Sequence, residues 1–187
     1  DYWNEFYHII DWARHNVQPP LLLGWGAMAA LYHFYGVPKY APPMKRFGVF
    51  RTTPLDERLP IFRGFDDIFD MPHSRHAEVR KADIDKVADL HIIANSPEAG
   101  VSIVMSRQGR DFFILGHLEY APDTLDKEYR RDLGTRDDVA LPQHYYRDDD
   151  PTQGYKVRWR SAANLFYSNW IDYYVYQETP YNIHDIK

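Results

Sequence analysis

The sequence predicts an α/β protein, a mixed sheet with helices on both faces. Short β-type runs alternate along the chain with stretches of helical period. One stretch, "GVSIVMSRQGRDFFILGH", reads as an antiparallel hairpin turning at "RQG". A third observation is local: "LLLGWGAMAALYHFYG" runs from three apolar residues through a Gly-Trp-Gly corner into an alanine-rich helix. That is the pattern of a nucleophile elbow, a sharp strand-to-helix turn that lifts one side chain into a site. The tip is Gly24, which has no side chain.

A chain of 187 residues can bury a sizeable core, and one domain over residues 1–187 is expected. Fifteen Tyr, ten Phe and five Trp argue against disorder. The net charge of −5 is spread along the chain without a basic cluster, so no nucleic-acid footprint is expected. No apolar run approaches the ~18 residues of a membrane span, and no signal-peptide pattern opens the chain. Cysteine is absent, which excludes disulfides, thiolate metal sites and thiol catalysis together. A cytoplasmic location is expected, with no membrane partner.

The first helix is expected over Asp1–His15, with Trp3, Phe6, Ile10 and Ala13 at helical spacing. The chain starts directly in this helix without an initiator Met, and the N-terminal part of a larger domain is expected to be absent. Gln18-Pro19-Pro20 breaks the period. Leu21–Leu23 reads as a buried strand and Ala27–Tyr35 as a helix ended by Gly36 and Pro38. Phe47–Thr53 is a strand candidate, and the region through "FRGFDDIFDMPHSRHAEV" reads as loop. Leu90–Ser96 is a short strand. The second strand of the hairpin, Phe112–Leu115, delivers His117 just past its end. Asp123–Leu133 is expected to be helical, with Asp123 or Thr124 at its N-cap. A polar loop follows over about 134–155, and a last helix over about Arg160–Tyr176 carries an apolar stripe.

Ligands of open sheets collect beyond the carboxyl ends of strands, where Gly24 and His117 both fall. In "GHLEY", His117 and Glu119 stand two residues apart. An extended chain points both side chains to one face, where the carboxylate can fix the imidazole tautomer. By spacing alone a solvated polar pair carries more weight. "PHSRH" offers His73, Ser74, Arg75 and His76. Its His-x-x-His spacing is not completed into a metal-ligand pattern elsewhere, so no metal is expected. Lys45 and Arg46 read as surface charges or as anion holders. Arg130 and Arg131 read as a surface ion-pair network or as a bidentate carboxylate clamp.

Taken together, "GWGAMAALYHFYGVPK", "RGFDDIFDMPHSRHAEV", "GHLEYAPDTLDKEYRRDL", "DDDPTQGYKVRWRS" and "LFYSNWIDYYVYQETPY" resemble the homoserine O-acyltransferases of methionine biosynthesis. The resemblance runs from Tyr2-Trp3 to Pro180-Tyr181. It implies a class I glutamine amidotransferase-like (flavodoxin-like) three-layer sandwich, here lacking its N-terminal strands. It also implies a Cys-His-Glu ping-pong mechanism that moves a succinyl or acetyl group from acyl-CoA to L-homoserine. By position, His117 would be the general base, Glu119 its orienting carboxylate, and the Trp25 backbone N–H an oxyanion donor. Lys45, Ser74 and Arg131 would contact substrate, with the Arg131 guanidinium pointing into the same cleft as the other two. The family's "GHPEYD" appears here as "GHLEYA", and its nucleophilic cysteine as Gly24. No bound cofactor is implied beyond acyl-CoA as co-substrate, and a homodimer is expected. The position that helps select the acyl group would lie upstream of Asp1. The alternative is a catalytically silent relative that binds homoserine, acyl-CoA or an active partner subunit. A different amidotransferase-like enzyme would need its own nucleophile, and the sequence offers none.

Overall fold

The computed structural model describes residues 2–177 apart from 18, 107 and 136–138. The expected helix end at Asp1, the break at Gln18, the hairpin-turn residue Arg107 and the segment from 178 onward lie outside the described residues.

Six strands form one sheet: β1 (Leu21–Leu23), β2 (Arg46–Pro54), β3 (Phe69–Arg75), β4 (Leu90–Ser96), β5 (Gly100–Ser106) and β6 (Phe112–Ile114). Their spatial order is β1-β6-β5-β4-β2-β3, and β1 and β6 pair in parallel while every other pair is antiparallel. The helices are α1 (Trp3–Asn16), α2 (Gly24–Tyr35), the single turn α3 (Lys81–Ile84), α4 (Thr124–Leu133) and α5 (Arg160–Trp170), which continues as a π-turn over Ile171–Val175. Sheet and helices fit the mixed α/β sheet read from the residues and the glutamine amidotransferase-like class that the family resemblance implies.

Side-chain alternation builds the two cores. On β6, Phe112 and Ile114 face one layer with Trp159, Phe166 and Ile103, while Phe113 faces the other with Ile10, Met28 and Leu31. With apolar groups required on both faces, the strand reads as a continuous apolar run. The run Ala27–Leu31 of α2 is wholly buried because its small side chains let the helix lie close on the sheet. Gly36 closes that helix in the left-handed region, φ 67°, where its N–H reaches the Tyr32 carbonyl. From α1, Arg14 reaches buried Asp111 at 3.3 Å and the Tyr35 hydroxyl at 2.8 Å, tying the outer helix to the start of β6.

Two differences from the sequence expectation matter for the site. The stretch expected to be loop contains strand β3, paired with β2 along its whole length, Phe47 opposite Ser74 and Gly48 opposite His73. Its Pro72 speaks against a strand, yet β3 is the last strand of the sheet order, and an edge strand tolerates proline. The second helix begins at Gly24 rather than Ala27, so the turn itself is the first residue of α2. At α4, Asp123 takes the N-cap position, but its carboxylate pairs with Lys127 at 2.6 Å and makes no side-chain cap bond.

Candidate active site

The parallel register sets Leu23 beside Ile114, so β1 and β6 end at the same level. Gly24 follows at once, and His117 lies three residues beyond its strand. The chain at Gly24 turns with φ +52°, a left-handed conformation that suits glycine and strains other residues. His117 fills the space above the α-carbon: a Cβ built at Gly24 would lie 2.8 Å from its Nε2 and closer still to its Cε1.

Several contacts hold the imidazole there. Its main-chain N–H donates to the Pro72 carbonyl at 2.8 Å, linking the loop after β6 to strand β3. Nδ1 lies 2.7 Å from Glu119 Oε1. A carboxylate only accepts, so Nδ1 is the donor, and Nε2 of the neutral ring keeps its lone pair on the side of residue 24. The His117 side chain is 16% exposed and that of Glu119 37%. The ring of Tyr120 stacks on the imidazole, centroids 4.3 Å apart and planes within 11°. Gly116 leaves room for the packing below, since a Cβ there would meet His73 Cε1 at 2.9 Å. His73 itself is fully buried, and burial, then the charges of Arg75 and His117, hold it well below the usual histidine range. It is therefore a neutral imidazole beside the exposed pair.

Trp25 begins the first turn of α2, where main-chain N–H groups have no acceptor within the helix. Its indole packs on Trp3 and Phe6 of α1, with centroids 4.9 and 5.0 Å away.

A second cluster joins β2, β3 and α4. Glu128 Oε1 accepts from Lys45 Nζ at 2.5 Å and from Ser74 Oγ at 2.7 Å. The Lys45 ammonium also lies 3.7 Å from Asp132 and 4.0 Å above the Phe47 ring. Lys45, Phe47 and Asp132 line a cavity of about 270 Å³ together with Met44, His76 and Val139. Arg131 does not point into this cleft as expected. Its side chain is 68% exposed and pairs with Asp132 at 2.8 Å, with Glu128 at 3.8 Å. It sits in the last turn of α4, where the neighbouring carboxylate holds the guanidinium at the rim.

Glu128 and Tyr120 were not singled out by the sequence. Glu128 carried a signal, because 128, 131 and 132 share one face of a helix at i, i+3 and i+4. Tyr120 carried none beyond proximity to "GHLE". Among the described residues no group of three His, Cys, Asp or Glu side chains is placed to hold a metal ion, and no helix is long and apolar enough to cross a membrane.

Comparison with known proteins places the chain. A family model described as homoserine O-succinyltransferase matches residues 1–181. The chain is 55% identical over 186 residues to a homoserine O-acetyltransferase from Bacteroides thetaiotaomicron, 52% identical to one from Desulfitobacterium hafniense and 50% identical to one from Brevibacillus brevis. Each match takes in all of this chain and 61% of the relative's length. Among solved structures, a glutamine amidotransferase from Thermotoga maritima superposes with a TM-score of 0.61 at 14% identity, over 90% of this chain and 67% of that one. Another from Methylobacillus flagellatus gives 0.62 at 13% identity, over 90% and 68%. Both likenesses are to the fold.

Proposed function

Because the chain belongs to the homoserine O-succinyltransferase family, we propose that its site is built for acyl transfer from acyl-CoA to the hydroxyl of L-homoserine. The observation that carries the reading is the imidazole of His117, oriented by Glu119 and seated over position 24 at the carboxyl end of β1. That is the geometry of a base facing a nucleophile, with the nucleophile reduced to glycine.

The steps follow from the chemistry the family resemblance implies. A thiolate at position 24 attacks the thioester carbonyl of acyl-CoA, and the thiol of coenzyme A leaves with the proton that His117 held. Homoserine's hydroxyl then gives its proton to Nε2 of His117 and attacks the new thioester, which releases the thiolate. The negative oxygen that forms in each step would accept from main-chain N–H groups at the start of α2, Trp25 among them. Glu119 keeps Nδ1 protonated and stabilises the imidazolium. Homoserine is a zwitterion, and the second cluster offers both signs: Lys45 for its carboxylate, Glu128 and Asp132 for its ammonium, and Ser74 for either. The donor is acetyl-CoA or succinyl-CoA.

Glycine can form no thioester. The chain with Gly24 is therefore expected to be lower in turnover by roughly 10⁴–10⁶ than a form with the nucleophile. Thiol release from acetyl-CoA and succinyl-CoA, with and without homoserine, tests this in the Gly24 chain and in Gly24→Cys. Homoserine-dependent release by the cysteine form alone supports the reading; equal turnover by the glycine form overturns the covalent route.

A second reading is favoured by Gly24 itself: a silent member of the family that keeps the pocket and binds homoserine or acyl-CoA without turnover. Calorimetric titration with homoserine separates the two when the cysteine form is also inactive.

A further inference from the structure

Glu119 holds one edge of the imidazole, but a carboxylate that is 37% exposed can follow a moving ring. A flat partner on the ring's face is a different constraint. Tyr120 provides it, 4.3 Å from the imidazole and within 11° of parallel. The tyrosine is itself fixed. Its N–H donates to the His117 carbonyl at 3.3 Å, closing a tight turn, and its carbonyl accepts from the indole N–H of Trp159 at 3.0 Å. Trp159 is buried at the start of α5, and the Tyr120 ring packs against the same core cluster. The plate behind the imidazole is thus anchored to the interior of the protein.

We infer that Tyr120 is a positioning residue for His117: its ring fixes the tilt of the imidazole, while the Glu119 hydrogen bond fixes its rotation in the plane, and together they aim Nε2 at residue 24. The acyl-transfer half of this inference rests on the function proposed above; the geometric half does not. Other groups around the pair are accounted for. His73 from β3 is neutral and buried, Tyr167 from α5 lies near Glu119, and Glu128 from α4 lies near the phenol. Burial and the Glu128 and Glu119 carboxylates push the Tyr120 phenol up to about 12, so it is neutral beside the imidazole. Its hydroxyl makes no hydrogen bond to His117, and the stacking face alone carries the role.

The test compares Tyr120→Phe, which keeps the face, with Tyr120→Leu, which removes it. Tyr120→Met retains most of the volume and replaces the leucine variant should that one fail to fold. In the chain as it stands, NMR relaxation of the His117 ring reads the motion of the imidazole. We expect a rigid ring in the parent and Tyr120→Phe and a mobile one in Tyr120→Leu, with Glu119 keeping the Nδ1–H form in all three. On a Gly24→Cys background, Tyr120→Leu should slow acylation of the thiol by roughly 10–100-fold with KM for acyl-CoA changed less than about twofold, and Tyr120→Phe should restore the rate. A leucine variant whose ring is as rigid as the parent's, or a phenylalanine variant as impaired as the leucine one, overturns the inference. Should the cysteine form never be acylated, the acyl-transfer reading fails on its own and the ring motion still decides the role of Tyr120.

Discussion

At position 24 the backbone turns from strand to helix with φ +52°, and His117 rests where a side chain would begin. Restoring a side chain has two costs: a left-handed conformation for a residue with a Cβ, about 1–3 kcal/mol, and displacement of the imidazole. Gly24→Cys is therefore predicted to lower the melting temperature by roughly 2–12 °C in calorimetry of a chain this size. An unchanged or higher value would mean that the imidazole does not occupy the space. His73 makes a second prediction. Buried and neutral in the fold, it protonates near 6.5 once unfolded. The unfolded chain then binds the extra proton, so stability is present above 6.5 and is lost as pH falls below it, by about 1.4 kcal/mol per unit. His73→Leu should flatten that limb in denaturant titrations between pH 6.5 and 5; an unchanged slope would contradict the assignment. At this scale the pairing of His117 with Glu119 was legible in their spacing but for a different reason: an extended chain was expected, whereas Leu118 and Glu119 lie in the turn that the Tyr120 N–H closes. Tyr120 was not legible, since an extended chain carries it away and only the turn bond back to His117 returns it.

Among the elements, strand β3 was hidden by its own composition: "FDMPHSR" holds a proline and two charged residues. Only the sheet order reveals why it forms, because at the edge Pro72 gives up no needed ladder bond while its carbonyl takes the His117 N–H. The strand in turn presents Ser74 to Glu128 on α4, a helix whose acidic and basic residues read from sequence as surface pairs. Glu128 is a tie between α4 and the β2–β3 ribbon, with one charged and one neutral partner on a single oxygen. Glu128→Ala is predicted to cost about 1–3 kcal/mol in chemical denaturation, since it leaves Lys45 and Ser74 without that acceptor. It should also weaken homoserine binding by calorimetry. A variant with parent stability would show that the tie is solvent-screened and contributes nothing. That Lys45 and Ser74 meet on Glu128 was not legible from spacing, because the contact brings together three separate segments of the chain.

For the molecule as a whole, alternation of apolar runs with helical periods was enough to place it among α/β folds. The sheet's one parallel strand pair among the described residues, β1 with β6, was not legible, because parallel pairing is set by which strands meet across the fold and not by any run of residues. That pair is the one that matters, since equal strand ends put Gly24 and His117 within reach of one side chain. The account's central claim is that residue 24 is the point of acyl attachment in this site and that glycine there removes it. Intact-mass spectrometry of Gly24→Cys, incubated with acetyl-CoA or succinyl-CoA and then with homoserine, tests it most directly. The account predicts one acyl adduct on residue 24, lost when homoserine is added as O-acylhomoserine appears, and no adduct on the Gly24 chain. A folded cysteine form that stays unmodified with both donors, or homoserine-dependent turnover by the Gly24 chain, would contradict it.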